Sequence, residues 1–267
     1  MAILTISREC QSGSHEIGSA VSRALEYELV GKKQILADIK KYGKRWPGAD
    51  LAFDENSPSI WERFDWEYHG VIALVESIIY EYAVKDNVIV IGRGGNYLMR
   101  DIPYVLRIRL TAPLELRVKR MMKEEHVGEK EARRDIARID EARADYVRKN
   151  YGRDWEDLRH YDMVFNSGSD SYEDIAKILV STLPDRDQHK TPVAVDLLTG
   201  RADAARVKAA LSTDTRLNIP TLEVVFDGRS VVVGGVVHSP RELSLVEAIY
   251  ADVTVTHPVR QEMRYRG

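Results

Sequence analysis

The chain has a single cysteine, Cys10, in 267 residues. One thiol excludes an intramolecular disulfide and a cysteine-built structural zinc site. No apolar run approaches the roughly 20 residues that span a bilayer, and the first residues lack a basic segment followed by an apolar signal core. This reading places the chain in the cytoplasm. An excess of either charge is also missing. The 39 Lys and Arg against 42 Asp and Glu leave a formal net charge of −3, so no global field calls for nucleic acid or an anionic membrane. The basic stretch from Arg117 to Lys123 comes with no recognition motif, and nucleic acid is not an expected partner. What is present is a globular composition, 44% apolar and 30% charged, at a length that suits two domains.

Near the start, Ile3 to Ser7 reads as a buried strand, followed by a small-residue loop and a helix from about His15 to Leu29. That is the layout of a phosphate-binding loop. Small residues let backbone N–H groups approach phosphate oxygens, and the helix start adds unpaired donors and the positive end of its dipole. The residues expected to meet phosphate are Gln11, Ser12, Gly13, Ser14, His15, Glu16 and Ile17. The usual pattern closes with a Lys and then a Ser or Thr. Here His15 and Ile17 are read at those places, so the loop carries less positive charge and lacks a hydroxyl for magnesium.

Beyond the loop the pattern alternates strand and helix, which predicts an α/β fold with a parallel sheet flanked by helices. Residues 32–67, with Trp46-Pro47-Gly48, Asp54, Glu55 and Trp61, read as short helices and loops of a substrate-facing insertion. A helix from Trp66 to Val84 leads into Asn87 to Gly92, whose branched apolar run suits a central strand buried on both faces. Arg93 follows it directly, at the carboxyl end of a central parallel strand where open α/β sheets bind ligands. A strand from Tyr104 to Leu110 enters a basic helix through Pro113. Arg117 and Arg120 lie one turn apart on that helix and share a face. Further on come a charged helix at 128–149, a strand at 161–166 and a helix at 172–183. The polar segment 185–196 reads as a linker between a first domain, 1–184, and a second, 197–267. The second has the predicted order αββαβ, with an Asp227-Gly228 hairpin turn and Ser239 capping a helix.

The separated motifs Ile6 to Glu9, Ser12-Gly13, Glu16 to Gly18, Phe53 to Glu55, Gly92 to Gly94, Ala112 to Leu114, Arg117, Arg120, Asp140 to Arg143, Trp155, Tyr161-Asp162 and Asn166-Ser167 occur in order over residues 1–183. Together they resemble the cytidylate kinase-like family. The resemblance implies a P-loop nucleoside monophosphate kinase fold that uses ATP and Mg2+. It further implies catalytic roles for His15, Arg93, Arg117 and Arg120, the last two as a lid face over donor phosphates. Arg93 would fork onto the acceptor phosphate, while Asp140 and Arg143 would touch the acceptor nucleotide. CMP or dCMP is the first acceptor it suggests, with turnover slowed by the altered loop. A nucleotide-binding sensor without turnover is the alternative. Residues Val207 to Leu211, Val232 to Gly235 and Ser239 resemble a BON domain, which implies an output unit. A protein partner is favoured over a membrane for it.

Overall fold

A computed structural model describes residues 2–41 and 66–266, with side chains described for all of these except residues 66 and 67. The expectations for Trp46, Phe53, Asp54, Glu55 and Trp61 lie outside the described residues. The chain opens with β1 (Ile3–Arg8), α1 (Ser14–Leu25), β2 (Glu28–Val30) and α2 (Lys32–Lys41). Then come α3 (Trp66–Ala83), β3 (Val88–Ile91), the short α4 (Gly95–Leu98) and β4 (Val105–Thr111). Two adjoining helices, α5 (Leu114–Glu125) and α6 (Glu129–Tyr151), precede β5 (Met163–Asn166) and α7 (Tyr172–Arg186). The last elements are α8 (Pro192–Thr213), β6 (Glu223–Phe226), β7 (Val231–Val237), α9 (Pro240–Ala251) and β8 (Val259–Tyr265).

The described residues divide into two compact units, one of residues 2–34 and 86–190, the other of residues 35–41, 66–85 and 191–266. In the first, five parallel strands run in the order β2-β3-β1-β4-β5. Strands β1 and β3 are buried on both faces, as suits strands inside a parallel sheet covered by helices, and β3 is apolar throughout, whereas β1 buries Thr5 and Ser7 among its apolar residues. One face packs Leu4, Ile6, Ile89 and Ile108 against Ile17 and Val21 of α1 and Ile175, Leu179 and Leu183 of α7. Ser171 caps α7 by accepting the N–H of Asp174. The chain winds to one side of β1 through β2 and β3 and then crosses to β4 on the other. This puts the loops after β1 and β3 at a switch point, at the carboxyl ends of adjacent strands.

One strand departs from the sequence expectation. Helix α1 ends at Leu25 and not near Leu29, because Glu26 turns left-handed at φ 58° and the chain enters β2. A left-handed non-glycine stop leaves no mark in the sequence.

In the second unit β6 pairs antiparallel with β7, and β7 parallel with β8. The order αββαβ is as expected, with Val207, Leu211, Val231, Val233 and Val246 in its core. Asp227 closes the hairpin by accepting the N–H groups of Arg229 and Ser230. Two features differ from the sequence reading. Residues 185–196 are mostly helical: α7 runs through Pro184 to Arg186, and α8 begins at Pro192, capped by Thr191. The buried residues of α8, among them Leu198, Ala202, Ala205 and Val207, run round the helix, so no one-sided apolar stripe announces it. Helix α3, expected with the first domain, packs on α8 in the second unit. Lys208 reaches Glu76 across that contact at 3.0 Å.

Candidate functional site

The loop after β1 is held from below by its own side chains. Ser12 is 1% exposed, and its hydroxyl donates to the Glu9 carbonyl at 2.8 Å. The Glu9 carboxylate accepts the N–H of Ala112 at 3.0 Å, tying the loop to the end of β4. Cys10 packs its thiol among Val118, Met121, Ala132 and Ile136. Gln11 is left-handed at φ 61° and Gly13 at φ 84°. A Cβ on Gly13 would lie 2.3 Å from the ring of Tyr172, so only glycine fits between loop and ring.

Gly13 is also the N-cap of α1, and no side chain caps that helix. The first amides of α1 are therefore left for an external acceptor, the arrangement that suits an anion. This start fixes the register of the motif. The place after the last glycine, lysine in the usual pattern, belongs to Ser14, and the next to His15. Ser14 thus supplies a hydroxyl and the exposed His15 a ring, while Glu16 is exposed in the first turn. Ile17 is corrected more strongly. Its side chain is fully buried against the sheet and its N–H bonds the Gly13 carbonyl at 3.1 Å, so it presents no group to the loop.

The two arginines of α5 share a face as expected, but neither forms a free lid surface. Arg117 is buried, donates to the Ala112 carbonyl at 3.1 Å and the Cys10 carbonyl at 3.4 Å, and meets Asp140 at 2.5 Å. Glu9 lies 3.6 Å away. Arg120 donates to the Gln11 carbonyl at 2.9 Å and to the carbonyl and hydroxyl of Ser167, with Tyr172 5.0 Å below its guanidinium. Both side chains brace the loop after β1 by donating to its carbonyls. Asp140 belongs to the same brace. One oxygen accepts the Cys10 N–H at 2.7 Å and the other accepts Arg117. Arg143, one turn on, donates to the Arg8 carbonyl at 3.2 Å at the end of β1. The Asp140 and Arg143 pair is thus built against the loop, and its carboxylate does not stand apart as an acceptor contact.

At the end of β3, Gly92, Arg93 and Gly94 are all left-handed, at φ 77°, 53° and 72°. A Cβ on Gly94 would meet the Tyr151 ring at 2.0 Å, and one on Gly92 the Arg8 guanidinium at 1.9 Å. The turn brings Arg8 and Arg93 to neighbouring strand ends. Its carbonyl at Arg93 accepts the Tyr151 hydroxyl at 3.2 Å, and the Arg93 guanidinium lies 5.8 Å from the Tyr146 ring centre. Arg8 and the Tyr146–Tyr151 pair were not singled out as site residues from the sequence. Their signal is spatial: Tyr151 is 58 residues from Arg93. Among the described residues no group of three or more His, Cys, Asp and Glu side chains is arranged to hold a metal ion.

The model of the cytidylate kinase-like family matches residues 3–169. A cytidylate kinase of Methanosarcina barkeri is 27% identical over 185 residues, 67% of this chain and 97% of that protein. Another from Sulfolobus acidocaldarius is 31% identical over 105 residues, and the match spans 39% of this chain and 57% of that protein. Among solved structures, an uncharacterized protein from Eubacterium ventriosum aligns with a TM-score of 0.56 and 19% identity, over 69% of this chain and 98% of its own, a likeness of fold. With more than half of its length matched in order by the family model, this chain belongs to the cytidylate kinase-like family.

Proposed function

We propose that the chain is a nucleoside monophosphate kinase that transfers the γ-phosphoryl group of ATP to CMP, dCMP or a related acceptor. The observation that carries the reading is the placement of two anion-seeking features at adjacent strand ends: the uncapped start of α1 after Gly13, and Arg93 in a left-handed turn after β3. Phosphoryl transfer needs little covalent help from protein, and positioning with charge neutralisation suffices. The first amides of α1 would receive donor phosphates, and Arg93 would fork onto the acceptor phosphate. Arg117, Arg120 and Asp140 would act by holding the loop in shape. Magnesium would supply charge neutralisation between the phosphates, and the oxygen donors that suit a hard cation are the Ser14 hydroxyl and the Glu16 carboxylate. The weak cationic character of the loop supports a slow reaction.

A nucleotide sensor without turnover is the second reading, favoured by one observation. The arginines of α5 are engaged by protein groups and do not replace the missing lysine at the loop. In either case we assign the αββαβ elements a BON-like output role toward a cytoplasmic protein partner. The test is to supply purified protein with ATP, Mg2+ and each nucleoside monophosphate in turn and to separate the products. A diphosphate formed from one acceptor, and lost in Arg93→Ala, supports the kinase. No product from any acceptor, with saturable ATP binding in the same preparation, turns the assignment to the sensor.

A further inference from the structure

Arg109 on β4 is 3% exposed, yet no carboxylate pairs with it among the described residues. A buried guanidinium without a counter-ion is costly unless other groups replace water around it. Here the replacements are aromatic. The guanidinium lies 4.2 Å from the ring centre of Trp155 and 5.6 Å from that of Tyr161, and Nη1 donates to the Trp155 carbonyl at 2.8 Å.

From this cation a continuous set of contacts leads to the turn that carries Arg93. The Tyr161 hydroxyl donates to the Trp155 carbonyl at 2.8 Å and lies 3.3 Å from both the Ser7 hydroxyl and the Tyr97 hydroxyl. The Trp155 indole N–H donates to Ser7 at 2.9 Å, fixing the cluster to the end of β1. Burial, and then the bond that its hydroxyl donates to Tyr161, push the Tyr97 phenol pKa well above its ordinary value, so Tyr97 stays a neutral donor. Its ring stacks on Tyr151 at 5.5 Å, and Tyr151 in turn holds the Arg93 carbonyl. The Tyr151 ring also fills the space above Gly94.

We infer that Arg109 is a positioning residue for the acceptor site, acting through Trp155, Tyr161, Tyr97 and Tyr151 to fix the turn that aims Arg93. The inference rests on the proposed acceptor role of Arg93. Its cation polarises a stack that an apolar side chain of equal length would fill without fixing. Loss of the charge therefore loosens the turn without touching the phosphate loop, whose braces come from α5 and α6.

The test is a cycle of Arg109→Met, Arg93→Ala and the double variant, with Arg109→Lys as the conservative control. The readouts are Kd for CMP and Kd for ATP by titration calorimetry, which need no turnover, and thermal melting. Arg109→Met is expected to weaken CMP binding about tenfold with ATP Kd unchanged, a size typical of a misplaced binding group. Arg109→Lys, which keeps a cation over Trp155, is expected to recover most of that loss. In the Arg93→Ala background the same Met substitution is expected to change the CMP Kd by less than about twofold, because its route runs through Arg93. Equal penalties in both backgrounds, or an unchanged CMP Kd in folded Arg109→Met, overturn the inference. If Arg109→Met does not fold, Tyr97→Phe takes its place in the cycle: an unchanged CMP Kd, or an equal change in the Arg93→Ala background, overturns it. Failure of the underlying reading looks different, since Arg93→Ala itself would then leave the CMP Kd unaltered.

Discussion

Asp140 uses both carboxylate oxygens to join α6 to the phosphate loop, accepting from the Cys10 N–H and from Arg117. Its position three residues before Arg143 was legible in the sequence, and so was the shared face of Arg117 and Arg120. Which groups they meet was not, because Cys10 and Asp140 are 130 residues apart. The contact makes a definite claim about stability. Asp140→Ala leaves a buried guanidinium with only Glu9 as a distant counter-charge, so unfolding in urea is expected to show a loss of about 3 kcal/mol. Because the same change frees the Cys10 N–H, the KM for ATP is expected to move more than the acceptor KM. A variant as stable as the parent would mean that Arg117 is satisfied without Asp140.

Elements divide by how much of their reason is local. Strand β3, an unbroken Val-Ile-Val-Ile, and the hairpin at Asp227-Gly228 declare themselves through side-chain type and turn chemistry. Strand β2 and the start of α8 do not, since one follows a left-handed glutamate and the other opens on a mostly exposed turn in which Ala194 alone is buried before Leu198. The loop before β8 shows a similarly nonlocal device. His257 places Nδ1 2.8 Å from Asp203 and Nε2 3.1 Å from Asp196, both on α8, and Asp203 also accepts the backbone N–H groups of Thr256 and His257. Arg206 on the same helix meets Asp203 at 3.1 Å, and the Phe226 ring stands edge-on to the imidazole. Burial pushes the imidazole pKa down, but the bonds and charges of Asp203 and Asp196 outweigh it and leave the value above the ordinary one. A raised folded-state pKa contributes stability that is complete below about pH 6.5 and fades as pH rises through the folded value. Melting temperature is therefore expected to fall on going from pH 6 to pH 9, and His257→Gln to flatten that slope. A slope identical in the two proteins would remove His257 as its source.

At the scale of the molecule, the order of elements was readable almost throughout, but their allocation to units was not. The polar composition of residues 185–196 suggested a free linker and a cleanly separable second domain. Instead α3, which precedes β3 in the chain, supplies Val71, Leu74, Val75, Ile78 and Ile79 to the buried interior and packs on α8. A chain stopped at residue 190 would uncover that apolar helix. It is expected to aggregate or to melt well below the full chain, as size-exclusion chromatography and thermal scans would report. A monodisperse fragment with unchanged melting would show that α3 is covered without α8.

The central claim is that the two anion-seeking strand ends serve one transfer between two phosphates. It is tested most directly by following label from γ-labelled ATP in the presence of Mg2+ and CMP. Label that appears in CDP, at a rate that depends on CMP and is abolished in Arg93→Ala, is the predicted result. Label that stays in ATP, or is released only as inorganic phosphate whatever monophosphate is supplied, would contradict it.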